Sequence, residues 1–259
     1  MDVGSLHFGW YDGLLTVLVT TMGAATAYVR NPFWKAFILL LPIPSTLALL
    51  AVGAPLDASC PAGIVLLLLY FSSVDQCYRR LRLPIMAAIA AGVVLYCGPA
   101  WLLKPWLTAD SGRFWPVWGT VLALAAVLYH FTPELRETGQ RTTLPGYWKI
   151  PLLLAVCVTV VVMKHWLAGL IVMFPMVGVV GAYEARSCLR TVYRQTLLYA
   201  LIFLPLAAAV FLTQARLGLP GALAVGWGVY LLGLWLSWRH WIPAGKSHED
   251  AVRGRISGI

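Results

Sequence analysis

Nine apolar stretches divide this chain, at about 12–29, 33–52, 62–74, 83–103, 114–131, 147–162, 167–183, 195–213 and 220–238. Most approach the roughly 20 residues that a helix needs to cross about 30 Å of hydrocarbon. Their apolar residues run on without alternating with polar ones, which predicts helices and argues against a membrane β-barrel. A bilayer interior offers the backbone no water, so a spanning segment must pair its own N–H and C=O groups. The composition agrees, with 60% hydrophobic and 11% charged residues and a mean hydropathy of +0.79. A soluble domain carries about 25% charged residues. The expected fold is an all-α polytopic membrane protein of about nine transmembrane helices.

The charges set the expected orientation. Numbering the stretches in order puts 15 of the 19 Lys and Arg residues on one side, leaving Lys104, Arg113, Lys164 and Arg216 on the other. The positive-inside rule then predicts the N-terminus outside and the C-terminus inside. The net charge of +9 reads as this bias, with anionic membrane lipids as the partner and no nucleic acid. Arg30 is the first positive residue and follows the first stretch, so no cleavable signal peptide is expected. Of the cysteines, only Cys60 is predicted outside; Cys77, Cys97, Cys157 and Cys188 fall inside or within apolar stretches, so no intramolecular disulfide is expected. Twelve tryptophans, many near stretch ends such as Trp10, Trp101, Trp106 and Trp115, suit an interfacial aromatic belt.

The chain also says nearly the same thing twice. Trp34-Lys35 is matched by Trp148-Lys149, and Ala62-Gly63-Ile64-Val65 by Ala168-Gly169-Leu170-Ile171. Asp75 with Arg79, Arg80 and Arg82 is matched by Glu184 with Arg186, Arg190 and Arg194, and Trp118-Gly119 by Trp227-Gly228. The expected organisation is a leading helix (1–33), a first membrane repeat (34–131), a cytoplasmic linker (132–146), a second repeat (147–242) and a polar, disordered tail (243–259). Four spans per repeat make the two copies parallel, related by an axis along the membrane normal.

The stretch Ala168-Gly169-Leu170-Ile171, then Phe174-Pro175, then Tyr183 and its Arg-containing loop, resembles GlpM, a family of small bacterial inner-membrane proteins about one repeat long. The resemblance covers about 148–241 and reaches the first half through Ala62-Gly63-Ile64-Val65, where Leu69-Tyr70 replaces Phe-Pro. It implies the bacterial inner membrane, a fused tandem duplicate, and no catalytic residues to carry over.

Paired short or Pro-broken spans are the best sequence pointer to a transport site. The third stretch is short, and the seventh is interrupted by Phe174-Pro175. In the second, Pro42 and Pro44 remove backbone donors next to the Ser45 and Thr46 hydroxyls. The candidate substrate-binding set is therefore Pro42, Pro44, Ser45, Thr46, Phe174, Pro175 and Tyr183. The competing reading is a structural kink whose free carbonyls the hydroxyls satisfy. Asp75 and Glu184 hold equivalent places at the inner ends of their spans and are the candidate proton-coupling groups; the competing reading is an ion pair with neighbouring arginines.

The leading function is a secondary transporter or exporter, possessing no cofactor or metal and working as a monomer or homodimer. No Walker, GxSxG or aspartate-rich diphosphate motif is present, and His130 and Glu134 are separated by Pro133. The alternative is a membrane enzyme, or its accessory subunit, in lipid, isoprenoid or exopolysaccharide assembly. It would use His7, Asp12, Asp57 and His165 on the outer face as acid and base. Polar groups meeting at mid-membrane favour transport; a meeting at one interface favours the enzyme.

Overall fold

The computed structural model describes residues 10–28, 38, 41–108, 111–133, 151, 168–184, 186 and 189–256. The sixth stretch (147–162) lies almost wholly outside them, as do most of the linker and the landmarks Trp34, Lys35, Trp148 and Lys149. His7, Glu134, His165, Cys157 and Cys188 also lie outside. The described residues form helices and no strand. In order they are α1 (Trp10–Tyr28), α2 (Ile43–Val52), α3 (Ser59–Arg79), α4 (Ile85–Leu107), α5 (Phe114–Phe131), α6 (Met176–Glu184) and α7 (Leu189–Ile256). A 3-10 turn at Ser111–Arg113 precedes α5, and a 3-10 segment at Ala168–Met173 leads into α6.

Four of these helices are long and apolar enough to cross a membrane: α3, α4, α5 and the apolar part of α7, Leu189–Ser237. They fit a membrane protein. Side chains such as Val94, Trp101, Leu102, Val127, Leu231 and Leu232 stand exposed on α4, α5 and α7. In water so much exposed apolar surface would drive association; in a bilayer it faces lipid.

α3 is the centre of the bundle. Its apolar window is 67% buried, against 28% for α4 and 17% for α5. It packs on α4, α5, α7 and the 3-10 segment. Small residues allow the close approaches, as in other membrane helix pairs. A Cβ on Gly92 of α4 would lie 2.7 Å from Val74 Cγ2 and 2.9 Å from Tyr70 Cδ2. A Cβ on Gly63 would lie 2.7 Å from Met173 Cβ, and one on Gly169 would collide with Ser59 Oγ. The two matching Ala-Gly stretches thus sit against each other's neighbourhoods.

The third stretch is not short. Ser59 to Pro61 join its first turn, where proline costs no hydrogen bond, and Asp75 to Arg79 extend its end, giving 21 residues. At 1.5 Å per residue this is about 30 Å, a full crossing. The loop before α3 is held from a distance. Gln214 Oε1 accepts from the Leu56 N–H at 2.8 Å, and its Nε2 donates to the Leu56 carbonyl at 2.9 Å.

α7 is broken at Gly218, whose φ of 65° and ψ of 171° are not helical. That backbone region is open essentially to glycine alone, and Pro220 follows. The break separates the expected eighth and ninth stretches. Helical backbone continues through Ile256, into the segment whose polar composition suggested disorder.

Gly218→Ala should therefore lower stability by about 1–3 kcal/mol through backbone strain, since no atom crowds the position. Gly119→Ala, equally uncrowded but helical, should not destabilise; thermal unfolding of both variants in one detergent checks the pair.

Candidate functional site

A helix start and a helix interruption border one space beside the middle of α3. The first is the start of α2. Pro42 is its N-cap, and Pro44 lies in the first turn, where a missing N–H goes unnoticed. The Thr46 N–H bonds to the Pro42 carbonyl at 2.9 Å, and the Thr46 hydroxyl donates to the Ile43 carbonyl at 3.0 Å. Thr46 therefore satisfies local backbone. Ser45 instead reaches across the bundle, its Oγ 3.0 Å from the Tyr199 hydroxyl of α7.

The second is Phe174-Pro175, between the 3-10 segment and α6. Pro175 has no N–H, so the Val172 carbonyl loses the donor that a continued 3-10 ladder would supply. The chain turns tightly here: the Met176 N–H bonds to the Phe174 carbonyl at 2.7 Å, and the Val179 N–H to the Pro175 carbonyl at 2.8 Å. Tyr96 of α4 anchors the segment. Its hydroxyl donates to the Leu170 carbonyl at 2.7 Å, and its ring meets Phe174 edge-on with centroids 5.3 Å apart.

Between these two segments lies a cavity of about 100 Å³. Pro44, Ser45, Phe174 and Pro175, four of the residues singled out from sequence, line it. Leu67 and Phe71 of α3 also line it; they straddle Leu69, the middle residue of that helix, so the cavity stands at mid-height. Its opposite wall is a face of α7 made by Val192, Gln195, Thr196 and Tyr199. Met22, Met173 and Met176 complete an apolar surround. Among the described residues that line it, none is charged.

The remaining sequence candidates stand elsewhere. Pro42 is buried behind the cavity wall and Thr46 is spent on its own helix. Tyr183 lies beyond the lining, with the Arg186 guanidinium 5.5 Å from its ring centre. Asp75 is one turn past Phe71, toward the arginines. Its carboxylate lies 2.8 Å from Arg79 Nε and 3.8 Å from Arg190 Nε at the start of α7. The ion-pair reading of Asp75 is thus what the geometry displays, with a partner from the other half of the chain. Glu184 is the last residue of α6. Of the proposed outer acid–base set, Asp57 accepts the Ser59 N–H at 2.9 Å and the Ser59 hydroxyl, while Asp12 is buried in the first turn of α1. Among the described residues no group of three His, Cys, Asp or Glu side chains converges as a metal site would require.

Gln195, Thr196, Tyr199 and Met22 were not anticipated. The α7 residues had a signal: positions 192, 195, 196 and 199 have the i, i+3, i+4, i+7 spacing of one helix face, and that face carries polar groups at the start of the eighth apolar stretch. Compared with protein-family models, curated proteins and solved structures, the chain finds no match.

Tyr96→Phe should cost about 1–3 kcal/mol, the range for leaving a buried acceptor unpaired, because the hydroxyl lost is the one held by Leu170. Unfolding midpoints in detergent check this, and an unchanged midpoint would show that the 3-10 segment does not need its anchor.

Proposed function

We propose that this chain is a bacterial inner-membrane secondary transporter, with the mid-height cavity as its substrate site. The observation that carries the reading is the meeting of Ser45, Gln195, Thr196 and Tyr199 half-way along the central helix. Placing hydrogen-bonding side chains far from either water layer is costly and is ordinarily associated with a pathway. A pure scaffold has no need of them, and an interfacial enzyme gathers its polar groups at helix ends. A proline-marked helix start at Pro42 to Ser45 and an interrupted helical segment at Phe174-Pro175 border one site, and such an interruption is a device that discontinuous-helix transporters use. The resemblance to GlpM and the tandem-repeat organisation belong to the same proposal.

Asp75 is the proposed coupling group. Its ionised carboxylate ties α3 to Arg190, and α7 carries from there the cavity wall at Gln195, Thr196 and Tyr199. Protonation removes the charge that holds Arg79 and Arg190 and so loosens the start of α7 against α3. Substrate binding and proton binding then act on the same helix contact, which is the energetic requirement for coupling.

The test is solute-evoked pH change inside proteoliposomes loaded with a pH-sensitive dye, surveyed over neutral and charged metabolites. At least one solute should evoke a change that Asp75→Asn abolishes while its elution profile and unfolding midpoint stay native. A response retained in the variant removes Asp75 from coupling. Absence of movement for every solute, by dye and by isotope uptake, overturns the carrier reading and favours the enzyme or assembly-factor alternative.

A further inference from the structure

The chemistry of the cavity wall goes further than its position and names a class of ligand. The inference rests on the cavity being the substrate site. The absence of charge among the described lining residues is the first observation. A bound ion leaves its hydration shell, which costs several kcal/mol unless an opposite charge replaces it. None of the described lining side chains supplies one, and Asp75, the nearest acidic residue along α3, is already held by Arg79 and Arg190.

The second observation is the hydrogen-bond balance of the polar wall. The Thr196 hydroxyl donates to the Val192 carbonyl at 2.9 Å, so toward the cavity it offers lone pairs only. Ser45 and Tyr199 share one proton between their oxygens, 3.0 Å apart, and the accepting hydroxyl keeps its own proton for a further bond. Gln195 carries a carbonyl and an NH₂ on one planar group. The wall thus combines donors and acceptors on one side, the complement of a hydroxyl, which both gives and takes a hydrogen bond. The other walls are thioether and aromatic: Met22, Met173 and Met176 with Phe71 and Phe174. Methionine adapts to differently shaped apolar bodies.

The third observation is size. The cavity, about 100 Å³, is of the order of the engineered protein cavity of about 150 Å³ that admits benzene. It is suited to a compact ring or short branched chain.

We infer that the site takes uncharged molecules with one hydroxyl on a compact apolar body, and rejects carboxylates and ammonium ions of the same shape. A purely apolar body of that shape also binds less well, because it leaves the wall's donors and acceptors unpaired. Ser45, Gln195 and Tyr199 are the selecting residues.

An isosteric series tests this on the full chain in detergent: para-fluorobenzyl alcohol, para-fluorotoluene, para-fluorobenzoate and para-fluorobenzylammonium. Binding is followed by fluorine NMR against protein-free micelles. Saturable binding of the alcohol, at least about tenfold tighter than the other three, is expected. Tyr199→Phe and Gln195→Leu should each weaken it about 3- to 10-fold, the value of one neutral hydrogen bond, and leave the toluene unchanged; Ser45→Ala replaces either variant that does not fold. Binding of the benzoate or benzylammonium as tight as that of the alcohol overturns the inference. So does equal binding of the toluene, the absence of saturable binding, or insensitivity to all the substitutions. Selective alcohol binding without solute movement in proteoliposomes would remove the transporter reading and leave the ligand class standing. Movement of ions through the same cavity would do the reverse.

Discussion

Inside a bilayer a broken helix has no water to repair it, and the fold is organised around that constraint. Each helix start or break near the cavity is shielded by packing and partly re-bonded by side chains. Thr46 returns its hydroxyl to Ile43, and Tyr96 supplies a donor to Leu170. Both segments border the cavity that Leu67 and Phe71 of α3, the most buried of the long helices, also line. The glycines matter because they bring the broken segment close enough: Gly63 meets Met173, and Gly169 meets Ser59. A bulkier residue at either place would push the irregular backbone outward, where its carbonyls meet hydrocarbon.

The same helix connects the cavity to the arginine-rich end. Phe71 lines the cavity and Asp75 stands one turn further on, tied to the start of α7 through Arg190. α7 in turn presents Gln195, Thr196 and Tyr199 to the space that Phe71 closes. Its break at Gly218 separates this cavity-lining half from the half that follows. Trp118 of α5 reaches the Leu204 carbonyl at 2.8 Å and holds the cavity-lining half from the side.

Much of this was legible because membrane physics writes itself strongly into sequence. Unbroken apolar runs gave the helical class, and proline next to a hydroxyl or an aromatic marked Pro44, Ser45, Phe174 and Pro175. The third stretch was misread as short because hydropathy ends at Asp75, whereas a helix continues as long as its backbone is paired and its charges find partners, here Arg79 and Arg190. The α7 wall was passed over because Gln195 and Thr196 sit at a stretch boundary, where polar residues look like the start of a loop. Ser45 and Thr46 stand side by side after Pro44, and only three-dimensional packing tells which hydroxyl turns back to its own helix and which crosses to another. The long-range ties, Ser45 to Tyr199 and Leu56 to Gln214, leave no local trace.

Those ties join residues 154 and 158 positions apart. A ribosome adds Tyr199 and Gln214 only long after it has made Ser45 and Leu56. The early helices therefore enter the membrane with the Ser45 hydroxyl and the Leu56 backbone lacking these partners, and the cavity is completed only when α7 arrives. Biogenesis and assembly of the site are thus one event, set by the arrival of α7.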